Sequence, residues 1–217
     1  MTDTDHSVLL SGYVRDLFAD EGEVLEELRY ETSREDLPEI YISAEEGKLL
    51  QVLLAAVGAR RVLEIGTLGG YSALWMARAL PSDGTLITLE IDPDRAEFAR
   101  GFIEKAGMAD VVEVRVGDAR DVMAAMVEDG VEPFDAVFID ADKEPLLEYL
   151  DLSLELVGPG GLILTDNAFR SGHVLDEEPA EDARAVIAYN ERVASDPRLV
   201  STIIPVRDGL AVSVVKG

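Results

Sequence analysis

Residues 61–77 read RVLEIGTLGGYSALWMA. The first six residues, RVLEIG, are a short apolar run carrying Glu64, the pattern of a strand buried on both faces. Glycines at 66, 69 and 70 follow, and an apolar helical stretch runs from Ser72 to Leu80. The same alternation continues downstream. TLITLEI (85–91) reads as a strand, and DPDRAEFARGFIEKAG (92–107) as a helix. Asp92 is placed as its N-cap, Pro93 at its first position and Gly107 past its end. VVEVRVGD (111–118) is the third strand, with a helix following through Val122 and Met126. FDAVFID (134–140) is the fourth, with a helix from Glu144 to Leu156. GGLILTDN (160–167) is the fifth, with a helix from Glu181 to Ser195. LVSTIIPV (199–206) and LAVSVVK (210–216) close the chain, joined through Arg207, Asp208 and Gly209. Asp-Gly between two strand-like runs signals a hairpin. The pattern predicts an α/β fold: a mostly parallel sheet, helices on both faces, and one antiparallel strand at the C-terminal hairpin.

Upstream of Arg61 the period is helical. Val8, Leu9, Tyr13, Leu17 and Phe18 form one stripe, and Val24, Leu25 and Leu28 a second. Ser43 with Glu46 has the spacing of a capping box before Leu49, Leu50, Leu53, Leu54 and Val57. Pro38 interrupts an extended segment between these helices. The chain has 217 residues, enough for one sizeable domain. The expected division is N-terminal helices over 1–58 and an α/β core over 59–217.

Composition narrows the function. The chain lacks cysteine, which excludes disulfides and thiolate metal sites. It has no apolar run of about 20 residues, so no membrane-spanning helix is expected. The acidic start MTDTDHSVLL lacks the basic region of a secretory signal, which makes a cytoplasmic location the expectation. A net charge of −25 argues against nucleic acid and anionic membranes as partners. Two readings of that charge stay open, solubility by mutual repulsion and adaptation to high salt. Lysine is scarce beside arginine, with only Lys48, Lys105, Lys143 and Lys216 present.

The chemistry-bearing residues fall at the predicted strand ends. Asp140 closes the fourth strand, and Asp166 with Asn167 closes the fifth. Ligand sites of open α/β sheets lie at such carboxyl ends. Two carboxylates and an amide are hard oxygen donors suited to Mg²⁺ or Mn²⁺. Capping of the following segments is the competing reading for these residues. Lys143, a cation close to the proposed metal, makes little sense as a ligand and fits a base or an electrostatic partner. It also fits a surface cation paired with Asp142 or Glu144.

The first turn lacks the dinucleotide fingerprint, because Leu68 stands where its second glycine belongs. Glu64 just before that turn would repel a pyrophosphate and attract an ammonium or sulfonium group. Glu90, ending the second strand, suits the two hydroxyls of a ribose. Asp118 fits either an adenine amino group or a helix cap. His6 and His173 lack partners at ligand spacing and read as surface residues, and Trp75 reads as core.

Taken together, VLEIGTLGGYSALWMA, TLEIDPDRAEFAR, FIDADK and LVGPGGLILTDN resemble the cation-dependent O-methyltransferases, the family that includes catechol and caffeoyl-CoA O-methyltransferases. The likeness runs from about PEIYISAEEGKLL (38–50) to the C-terminus. It implies a Rossmann-like seven-stranded sheet with an antiparallel last strand. It also implies S-adenosylmethionine as cofactor and a divalent cation, Mg²⁺ first with Mn²⁺ or Ca²⁺ as alternatives. By resemblance, Glu64, Gly66, Tyr71 and Ser72 hold the amino-acid end of the cofactor. Glu90 and Ile91 serve the ribose side, and Asp118 and Ala119 flank the adenine. Ile42 and Ser43 lie in the segment that passes over the cofactor. Asp140 touches both cofactor and cation, Asp166 and Asn167 complete the metal ligands, and Lys143 matches the catalytic lysine. A phenolic or diol acceptor and a homodimer are further implications.

The chain departs from the family after the Asp-Asn pair, where AFRSGHV replaces a tryptophan-bearing segment. It departs again after IDADK, where EPLLEYLDL replaces a tyrosine-rich one. Both segments border the acceptor pocket in the family. Two rival readings are a nicotinamide-dependent oxidoreductase, which would leave Asp166 and Asn167 without a role, and a non-catalytic cofactor-binding protein.

Overall fold

A single sheet organises the chain in the computed structural model, which describes residues 3–35 and 37–217. Its strands are β1 (Arg61–Ile65), β2 (Thr85–Glu90), β3 (Val112–Val116), β4 (Phe134–Ile139), β5 (Val157–Thr165), β6 (Leu199–Ile204) and β7 (Leu210–Val215). They lie in the order β3-β2-β1-β4-β5-β7-β6. The first five are parallel, and β7 runs antiparallel between β5 and β6. The predicted class, sheet and hairpin are all present.

Period-two alternation along the strands fills two cores. Val62, Leu86, Ala136, Phe138, Leu162 and Leu164 face α2 (Gly22–Arg34), α3 (Ala44–Val57), α4 (Tyr71–Ala77) and α5 (Pro93–Lys105). Leu63, Ile65, Ile87, Leu89, Val137, Ile139 and Ile163 face α6 (Ala119–Glu128), α7 (Leu146–Leu156) and α8 (Glu181–Ser195). Trp75 on α4 is fully buried, as its position predicts, with the Arg78 guanidinium 4.6 Å above its ring.

Element boundaries moved where local chemistry overrode periodicity. α7 begins at Leu146 instead of Glu144, because Pro145 occupies the N-cap. β5 begins at Val157, three residues before the expected Gly160. α1 (Asp3–Phe18) forms, but its stripe of Val8, Leu9, Tyr13, Leu17 and Phe18 is exposed, whereas Leu25 and Leu28 of the second stripe are buried.

The order reverses at β1, which has β2 on one side and β4 on the other. Ligands of open α/β sheets bind in the crevice at this switch point. Backbone bonds tie the strand ends together there. Gly66 N–H donates to the Leu89 carbonyl, Asp140 N–H to Ile65, and Asp166 N–H to Ile139, each at 3.0 Å.

Candidate active site

The glycine turn brings two strand ends into contact. Gly66 has φ +98°, and a Cβ there would stand 2.1 Å from the carbonyl oxygen of Asp140. Only glycine lets β1 leave the sheet so close to the end of β4. Just before the turn, Glu64 is completely buried. Its Oε1 accepts a 2.5 Å hydrogen bond from the Ser72 hydroxyl, while its Oε2 has no partner. Burial pushes its pKa up to about 8, the Ser72 and Thr88 hydroxyls offset part of that rise, and Asp140 and Glu90 add to it.

Glu90 is also buried, with both oxygens fixed. Oε2 accepts from Leu68 N–H at 2.8 Å, and Oε1 from Asp92 N–H at 3.0 Å. A carboxylate oxygen has more than one acceptor position, so each can take a further hydroxyl. Ile91 beside it is an exposed apolar side chain, at 68%. Asp118 acts as N-cap of α6, accepting from Arg120 N–H at 2.9 Å. The Arg120 guanidinium engages both its oxygens and holds its pKa below the usual carboxylate range. The capping contact of Asp118 is formed, and it does not exclude the adenine contact. Ala119 starts the helix behind it.

The other expected residues also make contacts within the chain. The Tyr71 hydroxyl donates to Glu21 Oε1 at 2.7 Å, and its ring packs on Tyr41, so its side chain does not line the turn. Ile42 is part of the core. Ser43 caps α3, accepting from Glu46 N–H at 3.2 Å. Arg170 is clamped to Asp182 at 2.6 and 2.9 Å. Phe169 packs on Gly209, where a Cβ would stand 2.7 Å from its ring. His173 pairs with Asp176 on the surface.

The acidic edge forms at the ends of β4 and β5. The Lys143 ammonium, nearly buried, is 3.6 Å from Asp140 Oδ1. Burial pushes Asp140 up to about 6, opposed by Lys143 and reinforced by Asp166. Asp166 is buried and accepts from Asn167 N–H at 2.6 Å. Asn167 takes φ +61°, a left-handed conformation that asparagine tolerates. Burial raises Asp166 also, with Asn167 and Glu46 opposing the rise.

Glu46 is the acid the capping-box reading misassigned. Its backbone N–H is capped, but its carboxylate makes no return bond to Ser43. It turns inward against Asp166, and burial, then repulsion from Asp166, pushes it up to about 9. Among the described residues no three His, Asp or Glu side chains are spaced to hold a metal ion. The expected donor set of Asp140, Asp166 and Asn167 has two acids and one amide.

Comparison with known proteins agrees with this geometry. The family model described as O-methyltransferase matches residues 15–216. A catechol O-methyltransferase from Niastella koreensis is 41% identical over 210 residues, covering 94% of this chain and 95% of the relative. A caffeoyl-CoA O-methyltransferase from Eucalyptus globulus is 37% identical, covering 88% and 80%. Among solved structures, the Bacillus cereus O-methyltransferase in complex with SAH is 38% identical with TM-score 0.91, covering 96% and 97%. An O-methyltransferase of tomaymycin synthesis from Streptomyces achromogenes, in complex with SAM, is 36% identical with TM-score 0.93 over the whole of both chains. With its sheet, its acid-bearing turn and these relatives in agreement, the chain belongs to the O-methyltransferase family.

Proposed function

We propose that the protein transfers a methyl group from S-adenosylmethionine to a hydroxyl of a catechol-like or other vicinal-oxygen acceptor, with a divalent cation at the strand edge. The observation that carries this reading is the edge of the sheet at the switch point, where β1 carries a buried, half-partnered carboxylate and the adjacent strands β4 and β5 end in acids. Glu64 Oε2 is buried without a hydrogen bond, which an ammonium would satisfy. Asp166 is buried and Asp140 partly exposed, they end the adjacent strands β5 and β4, and the oxygen chemistry of these two and Asn167 fits a hard cation. Mg²⁺ is the first choice, with Mn²⁺ and Ca²⁺ as alternatives.

Bound, the cofactor supplies an electrophilic methyl that a phenolic oxygen displaces from sulfur in line, and the cation supplies a Lewis acid for two adjacent acceptor oxygens. The chain's residues do the rest. Glu64 holds the cofactor's ammonium, with Ser72 fixing its other oxygen. Glu90 receives the ribose hydroxyls, its rotamer locked by Leu68 and Asp92. The exposed Ile91 offers an apolar surface to the base. Lys143, oriented by Asp140, takes the acceptor's hydroxyl proton or stabilises the oxyanion it leaves. Low solvent access at Glu64, Asp166 and Lys143 favours a reaction that consumes opposite charges.

Relatives named for catechol and caffeoyl-CoA support a phenolic acceptor. A nicotinamide oxidoreductase fits neither these relatives nor a turn without the glycine fingerprint. A cytosolic homodimer completes the proposal; no helix among the described residues is long and apolar enough to cross a membrane. The test is transfer of labelled methyl to catechols, flavonoids and hydroxycinnamoyl thioesters, with each metal and with chelator. Asp140→Ala and Asp166→Ala should abolish activity and its metal dependence together. Unchanged turnover of chelator-treated variants rejects the cation.

A further inference from the structure

Arg207 stands apart from the other cations of the chain. Of the 19 lysines and arginines, it alone among the described residues has a head group with neither an ion pair nor a hydrogen bond. In a chain with 44 Asp and Glu, a cation without an acidic partner is unexpected. Its backbone is strained as well. Arg207 has φ +48°, a left-handed value that glycine adopts freely and arginine rarely does. It follows Val206 in a turn closed by a 2.7 Å bond from Gly209 N–H to the Val206 carbonyl. Conformation alone favours glycine at this position, so the backbone does not account for the side chain that is there. Strained non-glycine residues of this kind cluster where a side chain has a task.

The turn is also fastened to the edge of the site. The Asp208 carbonyl accepts from Phe169 N–H and the Gly209 carbonyl from Ala168 N–H, each at 2.8 Å. Asp208 Oδ1 accepts from Ser171 N–H at 2.5 Å. These partners directly follow Asp166 and Asn167 in the chain. On the other side of the turn, Val206 lines a cleft of about 540 Å³ with Leu10 and Val14 of α1 and Glu45 and Leu49 of α3. Arg207 thus stands between the end of β5 and the start of α3, exposed to solvent. A guanidinium is a planar fork that matches the two oxygens of a carboxylate or phosphate. The acidic surface repels anions at long range, but screening confines that repulsion to about 8 Å at physiological ionic strength, and a direct pair is screened less. Resting on the methyl-transfer reading above, we propose that Arg207 is a specificity-determining residue. It receives an oxyanion, carboxylate or phosphate, carried by the acceptor away from the hydroxyls that react.

The test compares three acceptors with one diol ring: 3,4-dihydroxycinnamate, its neutral methyl ester, and its coenzyme A thioester. The acid carries a carboxylate near the ring, and the thioester carries phosphates far from it. Each is assayed by labelled methyl transfer with the wild type, Arg207→Gly and Arg207→Lys. Intrinsic differences between acceptors cancel when the kcat/KM ratio of charged to neutral acceptor is compared between proteins. Arg207→Gly should lower that ratio about tenfold for the acid or for the thioester, through KM, the span of one charge-assisted contact at a partly exposed site. Whichever acceptor shows the drop identifies the oxyanion. Arg207→Lys keeps the charge without the fork, and should fall between the two. Glycine relieves the backbone strain, so the Tm of Arg207→Gly should match or exceed that of the wild type. Ratios equal to wild type for both charged acceptors, or a Tm well below wild type, overturn the assignment of Arg207 alone. A wild type that methylates none of the three overturns the methyl-transfer reading, and this inference with it.

Discussion

At Glu64 a single buried carboxylate should couple pH to stability and, on the proposed function, to cofactor binding. In the unfolded chain it ionises near the ordinary value of 4.5, whereas the fold holds its proton to about 8. Between these limits the folded state binds one more proton than the unfolded state, so stability of the ligand-free protein falls as pH rises. Urea midpoints should drop from pH 5.5 to pH 8, and Glu64→Gln should flatten part of that slope; an identical slope in the variant excludes Glu64 as a source. Binding has the opposite sign. A cationic ligand needs the ionised form, so S-adenosylmethionine affinity should rise with pH up to about 8, with proton release visible as a buffer-dependent binding enthalpy. Lys143 separates binding from chemistry in a second way. Lys143→Ala should cut kcat by about 10²–10⁴, the range for a positioned acid or base, and leave cofactor affinity nearly unchanged. Normal turnover at saturation with weak cofactor binding contradicts its role.

The turn after β1 is the element on which both halves of the site depend. Gly66 touches the backbone of Asp140, so the cofactor side and the acidic edge share one contact. Gly66→Ala must move either the turn or the end of β4, and neither is a flexible side chain. The expected cost is at least about 2 kcal/mol from left-handed strain and collision. Loss of Mn²⁺ binding should accompany loss of cofactor binding; a stable variant with both intact shows that the end of β4 is more yielding than its hydrogen bonds indicate. This turn was legible in the sequence because strand, glycines and acid are consecutive. So were the acids at the ends of β2, β4 and β5, since strand ends in parallel sheets share an edge. Glu46 was not legible: its local spacing satisfies a capping signal, and its partner Asp166 is remote in sequence. The Tyr71 hydroxyl contact was not legible for the same reason, because its partner Glu21 precedes α2, 50 residues away. Local patterns report on local bonds, and buried polar pairs between elements leave no periodic trace.

For the molecule as a whole, charge and the surface of α1 act in opposite directions. A net charge of −25 disfavours both compaction and association at low ionic strength. α1 nonetheless presents Val8, Leu9, Leu10, Tyr13, Leu17 and Phe18 to solvent, a run of exposed apolar side chains of the kind that marks association surfaces. If this face joins two chains, salt should strengthen the dimer, since screening removes repulsion between two strongly negative bodies while apolar contact persists. Light scattering coupled to size exclusion should show a dimer whose dissociation constant falls as NaCl rises from about 0.05 to 1 M, where the Debye length shrinks to about 3 Å. Leu9→Asp with Leu17→Asp should give a folded monomer, because neither side chain is in the core. Repulsion within one chain is tested on that same monomer, free of association. A higher urea midpoint at molar salt supports salt adaptation, and equal midpoints at low and molar salt leave solubility as the meaning of the charge. A wild type that stays monomeric at every salt concentration removes the homodimer and leaves α1 exposed for another purpose.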